Sequence, residues 1–211
     1  MRSFFLAALL TLVGCKTVEN AHHGFDDADA WAQKFEDPSR DDWQKPEAVI
    51  ATFGLPPDAK VADIGSATGY FPVRFAKVVT KGQVYGADVE SSMVDYLNRR
   101  AEREGLSNLT SILAEYADPK IPEPVDLVIV VNTYHHIEER TAYFGRVKSL
   151  LRPGGRLAII DYSTKSKMGP PIEAKVSADQ VQRELEAAGF KLSASHDFLP
   201  EQYFLVFTDN R

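Results

Sequence analysis

The 211 residues predict an α/β domain built on a doubly wound, mostly parallel seven-stranded sheet that ends in an antiparallel hairpin. Three observations point there. Short apolar runs at 61–63, 83–87, 109–114, 125–131 and 156–160 alternate with segments of helical period. The run Val125-Asp-Leu-Val-Ile-Val-Val131 is so continuously apolar that it needs cover on both faces, as a strand in the middle of a parallel sheet has. After the last helical segment, 190–194 and 203–207 follow one another across a loop containing Leu199-Pro-Glu, which reads as a hairpin.

The elements follow in order. Residues 28–36 place Trp31 and Phe35 on one helical face, and Asp37-Pro38 ends that helix. Pro46 opens a second helix through Phe53, with Val49, Ile50 and Phe53 turned inward. Together 28–55 make a helical lid over the sheet or a cap on its edge. Pro72 opens the helix after the first strand, and Ser91 or Ser92 caps a helix that runs through Arg103 and closes at Gly105. The helix after the fourth strand carries Phe144, Val147 and Leu151 until Arg152-Pro-Gly-Gly155 breaks it. Residues 163–171 form a polar loop. Ser177-x-x-Gln180 then writes a capping box, and Gly189 stops the last helix. No repeat or linker divides 28–211, so one domain is expected.

The chemistry concentrates at Val61-Ala-Asp-Ile-Gly-Ser-Ala-Thr-Gly-Tyr-Phe71, which reads as strand, tight turn and helix. Glycine lets backbone approach a ligand closely, and a helix start offers unpaired N–H groups. A dinucleotide fingerprint runs G-x-G-x-x-G and cradles pyrophosphate. Here the order is Asp-x-Gly-x-Ala-x-Gly, without the third pyrophosphate glycine, which counts against a nucleotide-dependent oxidoreductase. In an open α/β sheet the ligand crevice lies at the carboxyl ends of the strands. Asp63, Asp88, Glu115, Asn132 and Asp161 stand at those ends in series. Asp88 follows Gly69 by 19 residues, close to the spacing at which an acid meets a ribose diol.

This pattern resembles motif I of the class I S-adenosylmethionine-dependent methyltransferases, a Rossmann-like family. Val84-Tyr-Gly-Ala-Asp88 resembles the family's second motif, and Leu150-Leu-Arg-Pro-Gly-Gly-Arg156 its turn before strand five, so the likeness covers 60–207. The resemblance implies S-adenosylmethionine as cofactor and no obligatory metal. It implies that Asp63 holds the methionine amino end, with Gly65 and Gly69 giving backbone access. Asp88 would bind ribose, Val89 would pack on adenine, Glu115 or Tyr116 would reach the adenine edge, and Asn132 would complete the donor site. The family more often has glycine where this chain has Ala67, and alanine is tolerated there if its φ is negative. In related enzymes the segment before the first strand folds over donor or acceptor, which makes Arg40, Trp43 and Gln44 candidate lid contacts.

Methyl transfer from a sulfonium depends chiefly on alignment, so a base is optional. For a hydroxyl or acidic-carbon acceptor, His135 or His136 is the candidate base, since imidazole titrates near neutrality. Tyr134, Asp161 and Tyr203 are further acceptor-side candidates. A formal net charge of −6 argues against a nucleic-acid partner, as does the absence of an Asn-Pro-Pro-aromatic run after strand four. Arsenite chemistry needs several cysteines, and the chain has one. A small-molecule acceptor or an envelope component is the expected substrate.

That single cysteine closes an export-type leader. Arg2 precedes an apolar run from Phe4 to Val13, too short to span a bilayer, and Leu12-Val-Gly-Cys15 resembles a bacterial lipobox. The expectation is a signal peptide at 1–14, lipidation of Cys15 and a tether at 15–27. The domain would then be anchored on the periplasmic face of a bacterial envelope, at the outer rather than the inner membrane because Lys16 replaces the retention aspartate. Because the donor is made in the cytoplasm, the alternative is a non-catalytic lipoprotein that keeps the fold to bind an adenosyl ligand.

Overall fold

The computed structural model describes residues 27–209, so the leader and Cys15 lie outside the described residues. One sheet contains β1 (Lys60–Ile64), β2 (Gln83–Asp88), β3 (Leu109–Leu113), β4 (Val125–Val131), β5 (Leu151–Tyr162), β6 (Phe190–His196) and β7 (Gln202–Asp209). Their spatial order is β3-β2-β1-β4-β5-β7-β6, with β7 antiparallel to both neighbours and all other pairs parallel. The order reverses between β1 and β4, and a doubly wound sheet opens its crevice at such a point.

The strands alternate between two cores. Val61, Ile129, Ile160 and Phe204 face a layer made by α3 (Pro46–Phe53), α4 (Tyr70–Val78) and α5 (Ser91–Arg103), where Phe53, Phe71, Phe75 and Leu97 fill the space. Val128, Val130, Leu157 and Ile159 face α6 (Arg140–Val147) and α7 (Ala178–Ala187), against Phe144, Val181 and Leu185. Side chains in a strand alternate between faces, so β4 needs apolar residues at nearly every position.

Three local expectations are corrected. The N-cap of α5 is Glu90 rather than a serine, and its backbone N–H is taken by the Asp88 carboxylate at 3.0 Å. The helix after β4, α6, ends at Val147, not Leu151, because Leu151 already pairs with Val125 and 152–155 bulges out of the β4–β5 ladder. At α7, Ser177 accepts the Gln180 N–H, but the Gln180 side chain turns to Glu184, so the capping box is half made.

The N-terminal helices divide two tasks. In α3, Val49, Ile50 and Phe53 are buried in the first core. Ahead of it, α1 (Ala28–Phe35) and α2 (Arg40–Gln44) reach across the carboxyl rim of the sheet. Trp43 stacks on Tyr162 at 6.1 Å, and Gln44 donates to Gln202 at 3.0 Å. These contacts tie α2 to the ends of β5 and β7.

Candidate active site

The bend after β1 is glycine-dependent at two points. Gly65 has φ 76°, and a β-carbon there would lie 2.2 Å from the Thr133 hydroxyl oxygen. Gly69, with φ 95°, caps α4, and a β-carbon would meet a Leu97 methyl at 2.2 Å. Between them Ala67 has φ 45°, so the negative φ on which easy tolerance of alanine depends is not met. Left-handed backbone costs a residue with a β-carbon about 1–2 kcal/mol. The Ala67 N–H donates to Asp88 at 2.8 Å, so the bend is held in this conformation from the neighbouring strand.

Two carboxylates face this bend. Asp88 accepts the Ala67 and Glu90 N–H groups. Burial nevertheless raises its pKa above the ordinary carboxylate value. Asp63 is 3% exposed, and its Oδ1 has no hydrogen-bond partner among the described residues. Burial lifts its pKa well above the usual range, with the Arg40 charge opposing and Asp88 adding to the rise. Beside it the buried Ser66 hydroxyl is also unpartnered. A buried polar atom left in this state costs about 1–3 kcal/mol, more when charged. The bend therefore holds acceptor capacity suited to a donor group brought by a ligand.

The α1–α2 pair is fastened at Glu36, Arg40 and Gln44. The Glu36 carboxylate accepts the Thr68 hydroxyl at 2.6 Å and pairs with Arg100 at 2.7 Å. Arg40 lies 3.8 Å over the Tyr70 ring, donates to the Phe35 carbonyl at 2.8 Å and also donates to Gln44. Burial lowers its pKa, against the pull of Tyr70, Tyr162, Glu36 and Asp63. A side-chain chain continues from Gln44 to Gln202 and from Gln202 to Asn132 at 2.6 Å. Asn132 itself takes φ 56° and donates to the Tyr162 hydroxyl at 3.4 Å.

At the ends of β4 and β5, His135 Nδ1 lies 2.9 and 3.0 Å from the two Asp161 oxygens. Asp161 also accepts the backbone N–H of His135 at 3.2 Å and of Tyr162 at 2.7 Å. Both side chains are buried, at 6% and 3% exposure. A carboxylate only accepts, so the hydrogen of a neutral imidazole sits on Nδ1 and Nε2 keeps its lone pair. The His136 ring lies tilted against that of His135, with 4.1 Å between centroids.

A family model described as "Methyltransferase domain" matches residues 55–199. A SAM dependent methyltransferase from Aquifex aeolicus is 31% identical, with TM-score 0.78, covering 84% of this chain and 96% of that one. The chain belongs to the methyltransferase-domain family. The 27-O-demethylrifamycin SV methyltransferase of Amycolatopsis mediterranei is 26% identical over 85% of this chain and 69% of its own length. A ubiquinone/menaquinone biosynthesis C-methyltransferase, UbiE, from Cupriavidus taiwanensis is 31% identical over 59% of this chain. The chain spans about half the length of that relative, 51%. A magnesium protoporphyrin IX methyltransferase from Synechocystis, solved with bound SAH, shares the fold at 18% identity and TM-score 0.68.

Within the methyltransferase domain the expected residues separate into groups. Asp63, Gly65, Ala67, Gly69 and Asp88 converge on the bend, and Arg40, Trp43 and Asn132 are joined through Gln44, Gln202 and Tyr162. Val89, Glu115 and Tyr116 lie further out. Val89 is 37% and Tyr116 66% exposed, and Glu115 pairs with Lys120 at 3.0 Å. Tyr134 is turned from the rim into the second core, where its hydroxyl donates to Glu184 at 2.7 Å and its ring stacks on Phe144. Tyr203 also faces that side, with a buried hydroxyl that has no partner among the described residues. Sequence reasoning missed Ser66, Tyr162 and Gln202. The signals were present: Tyr162 follows a strand-end acid, and Gln202 is a polar residue heading an apolar strand.

Proposed function

We propose that this methyltransferase domain binds S-adenosylmethionine and methylates a small organic acceptor or envelope component through a hydroxyl or acidic carbon. The observation that carries the reading is the buried, unpartnered Asp63 Oδ1 beside the glycine bend. When bound, the cofactor supplies a methyl group already activated on a sulfonium.

The chain's own residues do the rest. Asp63 accepts the ammonium of the methionine end, and Gly65 and Gly69 admit it to the backbone. Arg40 brings a positive charge suited to the carboxylate. Asp88 keeps one free lone pair on each oxygen for the ribose diol while its N–H bonds hold the carboxylate in place. Val89 offers an apolar face to adenine, with Glu115 or Tyr116 at the edge, and Asn132 closes the floor. On the acceptor side, Asp161 fixes His135 so that Nε2 receives the acceptor proton, while Trp43 and Tyr162 wall the approach. Positioning of the acceptor at about 3–3.5 Å supplies most of the acceleration.

The leader, the lone Cys15 and the tether support a lipid-anchored place on the periplasmic face of a bacterial envelope, at the outer membrane. Calorimetry of the purified chain with S-adenosylhomocysteine tests the enzyme reading: binding is expected, and its absence overturns it. Fatty-acid labelling of cells tests the anchor, because Cys15→Ser abolishes incorporation if Cys15 is the acylated residue.

A further inference from the structure

The loop between β5 and α7, residues 163–175, has no part in the chemistry above, yet it stands at the mouth of the site. Gly169 has φ 81°, and a β-carbon there would lie 2.3 Å from the Tyr162 ring, so the loop is pressed onto that ring. Tyr162 is the residue on which Trp43 stacks. Position in the fold thus ties the loop directly to the acceptor wall.

Its surface is unusual for this chain. Met168 is 36% and Ile172 54% exposed, two of the large apolar side chains that remain in water. Lys165 and Lys167 are exposed, and neither takes part in an ion pair among the described residues. The segment holds three lysines against one acid, Glu173, in a chain of formal net charge −6. The loop's shape is held from within. Ser166 donates to Glu201, its hydroxyl accepts the Met168 N–H at 2.9 Å, and its carbonyl accepts Lys175 at 2.7 Å. Apolar tips beside unpaired lysines on a braced loop match an anionic lipid surface, where the tips enter the headgroup region and lysine stems snorkel to phosphates.

We propose that the 163–175 loop is a shallow membrane-contact element that seats Met168 and Ile172 in an anionic phospholipid bilayer, with Lys165 and Lys167 at its phosphates. The contact is confined to the loop, because the acids Asp42, Glu138 and Glu139 on neighbouring rim segments repel such a surface. None of these residues belongs to the leader, so acylation of Cys15 is a separate matter. The consequence is an orientation: the Trp43–Tyr162 wall faces the bilayer, and an acceptor dissolved in the membrane reaches it without crossing bulk water.

The test uses the full chain with Cys15→Ser, labelled with a fluorescent probe on a single introduced cysteine. One variant carries Ile172→Cys; the other carries Val78→Cys at the far end of α4, on the opposite rim. Vesicles contain brominated lipid in either phosphatidylglycerol with phosphatidylcholine or phosphatidylcholine alone. Quenching at 172 at least threefold above that at 78 is expected in the anionic vesicles only. Adding Lys165→Glu and Lys167→Glu should remove the difference while binding of S-adenosylhomocysteine stays unchanged. Equal quenching at the two positions, or quenching at 172 indifferent to lipid charge and to the lysine changes, overturns the proposal and leaves the methyltransferase reading untouched. Failure of the unaltered chain to bind S-adenosylhomocysteine overturns that reading alone.

Discussion

Replacing Asp63 by Asn separates what the site needs from what the fold prefers. Asp63 is buried, its Oδ1 lacks a partner among the described residues, and burial drives its pKa well upward, so the free protein disfavours the charged form of this group. An amide of the same shape removes the charge and with it about 1–2 kcal/mol of strain on the fold, judged from the cost of unsatisfied buried groups. For a domain of this size that corresponds to a melting temperature higher by about 2–8 °C at pH 7.5. The sign of the pH dependence follows from the raised pKa. Above about pH 3.9 the unfolded chain releases its proton first, so wild-type stability falls as pH rises from there to the folded pKa. The advantage of Asp63→Asn is therefore smaller at pH 4.5 than at pH 7.5. Binding moves the other way: losing a hydrogen bond to a charged group weakens S-adenosylhomocysteine by about 10–150-fold. Scanning calorimetry at the two pH values and titration calorimetry measure both quantities. A variant that melts lower at pH 7.5, or that binds the ligand as wild type does, refutes the reasoning.

The remaining predictions concern separate parts of the molecule. Ala67→Gly relieves a left-handed alanine and loses part of the gain to the freer unfolded chain, for a net stabilisation of about 0.5–1 kcal/mol by urea unfolding. His135→Gln lowers kcat for a hydroxyl acceptor by about 10²–10⁴-fold and leaves S-adenosylhomocysteine affinity unchanged. Burial tends to raise the Glu184 pKa, but hydrogen bonds from Arg140, Gln180 and Tyr134 outweigh it and hold the pKa at about 2. Its stabilisation is therefore full above about pH 4.3 and lost as pH falls toward 2, so Glu184→Gln shows a shallower acid loss by circular dichroism.

Most of the fold was legible in the sequence because the signals were local. The apolar run 125–131 required a two-sided strand, and β4 occupies that range. Pro46 and Phe53 bound α3 as the proline and the apolar spacing implied. Most errors fell where a distant partner decides. Nothing near Leu151 shows that it will pair with Val125, whereas at α5 the deciding partner was local, the Asp88 carboxylate taking the Glu90 N–H two residues on and setting the cap one residue ahead of the serines. The site divides in the same way. Asp63, Asp88 and the glycines are set by strand ends and a bend, and their convergence followed from spacing. The positive φ of Ala67 is imposed by Asp88 from another strand, and Tyr134 lost its place at the rim to Glu184, 50 residues on. Long-range side-chain partners of this kind leave no periodicity to read.

The contact between Gln44 and Gln202 joins residues 158 apart, and β7, which bears Gln202, is inserted between β5 and β6. During synthesis, therefore, the glycine bend and its acids emerge long before the strand that locks the helices above them. A ribosome-held chain that has not yet added Gln202 keeps the contacts of Glu36, Arg40 and Trp43 but lacks the link from Gln44 through Gln202 to Asn132. That last tie over the pocket forms only once β7 has entered the sheet.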